Sequence, residues 1–171
     1  MKKLLTIAVA AMCAALAQAT SVDWSYDGDV LASNGSDYAN GTAWVIYLGE
    51  SSDISGISVD GTGALQGASA VASAPIADGL FNNGTVLTTT SSDNGNYVMF
   101  AAYQGSDGYY YGHSDVTAVS GLTSDNTTSK LVSFGDSPLS LSTPAQAVPE
   151  PTSVALLALG LAALGLKRKV A

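Results

Sequence analysis

Cysteine and histidine are almost missing from this sequence: Cys13 and His113 are the only ones in 171 residues. Cys13 lies in the apolar run near the start, so the chain from Thr20 onward has no thiol. That excludes a disulfide framework, thiolate catalysis and cysteine metal sites there, and leaves stability to burial and sheet hydrogen bonds. Positive charge is equally scarce. Of six basic residues, Lys2 and Lys3 stand at one end, Lys167, Arg168 and Lys169 at the other, and only Lys130 between them. Thirteen of the fourteen acidic residues fall within 20–147, which is therefore twelve charges negative, against −8 for the whole chain. Such a surface repels nucleic acid and anionic lipid, so no nucleic-acid partner is expected. The acids stand singly rather than in runs, as on the solvated face of a folded domain. No internal repeat and no G-x-S-x-G, H-E-x-x-H, Walker-type or G-x-G-x-x-G pattern occurs.

What is present divides the chain into four parts. Met1-Lys2-Lys3, the apolar Leu4 to Leu16, and Ala17-Gln18-Ala19 have the three-part layout of a signal peptide over 1–19. Cleavage after Ala17-Gln18-Ala19 makes the secretion translocon and signal peptidase partners, and Thr20 the mature start. Cys13 is not a lipoprotein cysteine, because Met12 stands where a small residue is required. Residues 20–136 are an acidic exported domain. Residues 137–148, with Pro138 and Pro144 and followed by Pro149, read as an extended linker. Residues 149–171 form a hydrophobic tail.

The domain is rich in Gly, Ser, Thr, Asp and Asn, with aromatic and β-branched residues in bursts, which predicts short strands joined by tight turns. Strands are expected at Val22–Tyr26, Thr42–Leu48, Ile54–Val59, Thr85–Thr90, Asn96–Gln104, Tyr109–His113 and Lys130–Phe134. The nearly all-apolar Thr42–Leu48 reads as a central strand buried on both faces. Gly105-Ser106-Asp107-Gly108 between two strands is the clearest hairpin turn. The small-residue stretch Ala64 to Ala74 reads as a short helix stopped by Pro75, or as irregular, because Gly67, Ser69 and Ser73 weaken a helix. The fold class is all-β, a small antiparallel β-sandwich of about seven strands.

Candidate chemistry is thin. His113-Ser114-Asp115 places three triad residue types side by side, but consecutive strand residues point to opposite faces, whereas a triad meets through the fold. Scattered carboxylates always offer some glycosidase-like pair, and nothing in the sequence selects one. Asp27-Gly28-Asp29 and Asp93-Asn94-Gly95-Asn96 supply hard oxygens of the kind calcium prefers, yet lack the complete EF-hand pattern and read more simply as turns. No metal, cofactor or enzymatic activity is expected. The best binding feature is Tyr109, Tyr110 and Tyr111, with Tyr103 across the hairpin: Tyr110 should face opposite to its two neighbours, and exposed tyrosines stack on sugar rings or protein surfaces. Packing between the hairpin strands is the plainer reading.

The tail is the most informative stretch. Val148-Pro149-Glu150-Pro151 precedes an uncharged, Leu- and Ala-rich run from Thr152 to Leu166, closed by Lys167-Arg168-Lys169. Fifteen helical residues span roughly 22 Å, short of a bilayer core of about 30 Å, although the basic residues can snorkel across part of the difference. The basic cluster holds its end on the cytoplasmic side as a stop-transfer signal and places residues before Pro149 outside. These three parts in this order resemble the PEP-CTERM sorting signal of Gram-negative bacteria. That resemblance covers the tail only. It implies a membrane-bound exosortase as partner, cleavage near the Pro-Glu-Pro, transient residence in the inner membrane, and delivery to the cell surface or exopolysaccharide matrix. A plain tail anchor that is never cut is the alternative. The expectation is a non-enzymatic structural or adhesive surface protein; a secreted carbohydrate-binding module or small carbohydrate-active enzyme with the same tail is the second reading.

Overall fold

The two apolar bursts become the two longest strands, because only a strand flanked on both sides can bury consecutive large side chains. The computed structural model describes residues 20–123 and 129–145. In chain order the strands are β1 (Thr20–Ser25), β2 (Val30–Leu31), β3 (Gly41–Gly49), β4 (Ser58–Val59), β5 (Leu65–Gln66), β6 (Ala70–Ala77), β7 (Leu80–Phe81) and β8 (Leu87–Ser91). They continue with β9 (Gly95–Gln104), β10 (Tyr109–His113), β11 (Thr117–Val119), β12 (Ser129–Ser133), β13 (Leu139–Ser140) and β14 (Thr143–Pro144). Among the described residues there is one 3-10 turn, Asn82–Gly84, and no α-helix. The all-β class expected from the sequence is what the structure has.

The main sheet runs β14-β10-β9-β3-β6-β7, with β11 also on β9. Its centre is the antiparallel β3–β9 pair, in register from Gly41 opposite Tyr103 to Tyr47 opposite Tyr97. Alternation along these strands feeds two cores. Ala43, Val45, Tyr97, Met99 and Ala101 face the larger one, where the smaller sheet β12-β1-β8 contributes Val22, Trp24 and Val132. Ile46, Val98 and Phe100 face a second cluster on the other side, covered by Ile54, Ile57, Leu65 and Ala68. One face of the main sheet thus packs as a sandwich, and the other is roofed by the 50–68 loop with its β4–β5 hairpin.

Four expectations need correction, the last of them the linker. First, the sheets are not wholly antiparallel. β1 runs parallel to β12 and β2 parallel to β13. Parallel neighbours need long connections, which leave no local signal in the sequence. Second, the stretch Ala64 to Ala74 contains β5 and most of β6, with neither a helix nor Pro75 as a stop. Ala72, Ala74 and Ile76 repeat every second residue and pack on the larger core. Pro75 is opposite Thr42 of β3, while β7 pairs only from Ile76, so the missing N–H removes no rung on the outer side. Third, the described residues hold fourteen strands, because six of them have only two residues and carry no usable periodicity. Of the expected Ile54–Val59 strand, only Ser58–Val59 is paired; Ile54 and Ile57 pack as loop residues.

The stretch read as a linker is, as far as Ala145, part of the fold. Leu139 and Ser140 pair with β2, Thr143 and Pro144 pair with β10, and Leu141 between them is fully buried. The alternation Leu139-Ser140-Leu141-Ser142 is a strand signature that the flanking prolines obscured. Gly28 shows how closely this segment packs: a Cβ there would overlap the backbone of Asp136 and Ser137.

Candidate functional site

The expected hairpin forms. β9 and β10 pair antiparallel from Gln104 opposite Tyr109 to Phe100 opposite His113, and Gly105 N–H donates to the Gly108 carbonyl at 2.8 Å to close the turn. Tyr109, Tyr110 and Tyr111 are each half-buried and are separated by the pleat as expected. Tyr111 stacks at 6.4 Å on Phe100 of the second core. Tyr109 covers Gly63 on that same side, where a Cβ would collide with its ring. Tyr110 turns the other way, stacks at 5.8 Å on Tyr103, and donates its hydroxyl to Asp107 at 3.0 Å. That carboxylate raises the Tyr110 pKa by hydrogen bonding and by charge. Tyr103 donates to Ser33 Oγ and accepts the Ser33 N–H, both at 2.8 Å. The cluster is mainly occupied with packing, and no row of exposed rings results.

β10 is also the strand beside which the described chain ends. Tyr110 is opposite Pro144 and Tyr111 opposite Thr143, and Ala145 N–H donates to the Tyr109 carbonyl at 2.8 Å. In an antiparallel ladder this makes Tyr109 and Ala145 a hydrogen-bonded pair and Tyr110 and Pro144 a non-hydrogen-bonded pair. A proline fits the second kind on an edge strand, since its nitrogen points away from the partner. The tail residues Val148, Pro149, Glu150, Pro151, Lys167, Arg168 and Lys169, with signal-cleavage residues Ala17 and Ala19, lie outside the described residues. Among the described residues no helix is long and apolar enough to cross a membrane.

His113, Ser114 and Asp115 line the rim of a polar cavity of roughly 250 Å³, together with Tyr26, Asp136 and Ser137. The three do not form a relay. The Ser114 hydroxyl is buried, accepts the Met99 N–H at 3.0 Å and donates to the Asp115 carbonyl at 2.8 Å, so it serves to clamp β9. His113 is exposed, with its ring 5.3 Å from Phe100 and Nδ1 2.9 Å from the Ser114 carbonyl, an acceptor that keeps a proton on Nδ1. Tyr26 was missed as a cavity residue because only the fold brings it to Asp115 and Asp136. It donates to the Ser137 carbonyl at 2.5 Å, and its pKa is raised first by burial and then by those two carboxylates.

The two loops weighed for calcium engage several of their polar groups internally. Asp27 accepts the Ser133 hydroxyl at 3.2 Å, and the Asp29 carbonyl accepts the Leu139 N–H. Asn94 donates to the Leu122 carbonyl and accepts the Leu122 N–H, both at 2.8 Å. Asn96 donates to the Ser51 carbonyl at 2.9 Å, and the Asp93 carbonyl accepts the Tyr97 hydroxyl at 2.6 Å. Among the described residues there is no group of three His, Cys, Asp or Glu placed to hold a metal ion.

Comparison with known families decides the tail. Residues 147–169 match the PEP-CTERM protein-sorting motif. The match begins two residues beyond Ala145 and takes in the Pro-Glu-Pro, the apolar run and the basic end. A PEP-CTERM tail is the mark of an exported protein sorted through a membrane exosortase, and the resemblance drawn from Val148 to Lys169 is thereby supported. The matched segment is a small part of the chain and bears on its delivery, not on the domain. No curated protein and no solved structure matches the chain.

Proposed function

We propose that this is a non-enzymatic exported protein whose acidic β domain is delivered to the bacterial cell surface or exopolysaccharide matrix, where it has a structural or adhesive role. The observation that carries the reading is the PEP-CTERM match over 147–169. It is supported by the commitment of Ser114 and Tyr103, Tyr110 and Tyr111 to internal contacts, and by the strongly negative charge of the domain. The tail is removed near Pro149-Glu150-Pro151 and the basic end is discarded. Intact-mass measurement on protein recovered from the cell surface and medium tests this: loss of the Lys167–Lys169 end is expected, and its retention on every molecule replaces sorting with a tail anchor.

One observation favours a carbohydrate-binding module as the second reading. The cavity between β10 and the 134–139 segment presents Tyr26, His113, Asp115 and Asp136, groups of the kind that hydrogen-bond sugar hydroxyls. Exported protein applied to a polysaccharide array, with reducing-sugar release measured in parallel, separates the readings. Binding lost in Asp136→Asn supports the module, and sugar release abolished by that change overturns the non-enzymatic assignment.

A further inference from the structure

We infer that β14 is a releasable strap, and that its detachment from β10 is the step that admits the sorting motif to its membrane protease. The inference rests on the sorting function proposed above. Only Gln146, Ala147 and Val148 separate Ala145, whose N–H is bonded to the Tyr109 carbonyl, from Pro149. At 3.3–3.6 Å per residue, Pro149 lies within roughly 14 Å of Ala145 however the chain runs. A protease that cuts near Pro149 and grips its substrate in extended form, by main-chain hydrogen bonds and alternate side-chain pockets, needs free backbone on both sides of the scissile bond. With β14 docked, the backbone of Thr143–Ala145 is already engaged by β10.

The fold divides this segment into a weak part and a firm part. β14 pairs over two residues, at the edge of the sheet, and Thr143 and Pro144 are exposed. Releasing them breaks a short ladder and uncovers little apolar surface. Leu141, two residues earlier, is fully buried and donates its N–H to the Leu31 carbonyl at 2.9 Å. Detachment therefore runs back to Ser142 and stops, adding four residues of free chain, roughly 13 Å of reach, without opening the core.

The test locks the strap in the full-length protein, in cells that contain a working exosortase. Tyr110→Cys and Pro144→Cys occupy a non-hydrogen-bonded pair, where the Cα separation suits a disulfide, and Cys13→Ser removes the remaining thiol. Tail removal, followed by intact mass, is expected to slow by about tenfold or more when the pair is oxidised and to recover on reduction. Recovery shows that the disulfide, and not the two substitutions, causes the slowing. A flexible Gly/Ser insertion of about six residues after Ala145 is expected to restore removal in the oxidised variant and to speed it in the parent. Equal rates for oxidised, reduced and inserted forms overturn the strap while leaving sorting intact. A parent whose tail is never removed overturns both, and Pro149→Ala provides the uncut reference.

Discussion

Trp24 shows what one side chain contributes in this domain. It is fully buried at the centre of the smaller sheet, 4.9 Å from the Tyr97 ring and 5.8 Å from Phe134, and its indole N–H donates to Thr89 Oγ1 at 2.6 Å. It joins the two sheets with an apolar body and satisfies its single donor inside the core. Trp24→Ala is expected to destabilise the domain by about 3–5 kcal/mol, through lost transfer energy and the cavity left behind. Trp24→Phe should lose less area but leave the Thr89 hydroxyl without its donor. Urea unfolding of both variants checks this; an unchanged midpoint for Trp24→Ala would contradict the packing described. The buried position of Trp24 agrees with the inward side of the expected Val22–Tyr26 strand. Its partners were illegible in the sequence, because Thr89 and Phe134 reach it through pairings across most of the domain.

Among the elements, β13 and β14 change where the domain ends. A boundary at 136 follows from reading prolines as linker residues, yet the chain after it fills the β2 edge with Leu139, buries Leu141 and borders β10. A chain covering 20–136 is expected to be markedly less stable than one covering 20–145, and Leu141→Ala in the longer chain should alone cost about 2–5 kcal/mol. Thermal unfolding of the three proteins side by side checks this, and equal midpoints for the two lengths would restore the linker. The contrast with the β9–β10 hairpin is instructive. That element was legible because its strands are long, apolar and joined by an Asp-Gly turn, so all its information is local. β13 and β14 have two residues each and are strands only because β2 and β10 offer open edges.

At the scale of the whole molecule bases are scarce, and among the described residues acids such as Asp60 and Asp53 are held by neutral donors. Asp60 accepts the N–H groups of Thr62 and Ala64, the Thr62 hydroxyl and the Gln66 amide, which lowers its pKa below 3.8, the Thr62 hydroxyl acting most strongly. Asp53 is lowered likewise, chiefly by the backbone N–H of Ser55. A depressed carboxylate stabilises the fold above its unfolded pKa and stops doing so as pH falls through the folded value. Tyr26 and Tyr97, both raised above 10.0 mainly by burial, act in the opposite sense. Their contribution is complete below the unfolded tyrosine pKa and is lost as pH rises through the folded one. Stability should therefore be level between these limits, falling below about pH 4 and above about pH 10, with the acid limb shallow because exposed carboxylates are well screened. Calorimetric midpoints across that range check the profile, and Asp60→Asn should flatten the acid limb. A midpoint indifferent to pH above 10 would show that the tyrosines are not buried as described.

The sequence alone determined the delivery of this protein and the class of its fold. A sorting tail is read from contiguous residues, and a β class from local alternation and turn chemistry, so neither needs distant partners. Tertiary structure decided the rest. The parallel placement of β12 beside β1, the meeting of Tyr26 with Asp115 and Asp136, and the docking of β14 against the tyrosine strand all join residues far apart in the chain. Such contacts form because they bury surface and pair edges that no local pattern records. The last described pairing of the domain, Pro144 opposite Tyr110, stands three residues before the matched sorting motif begins.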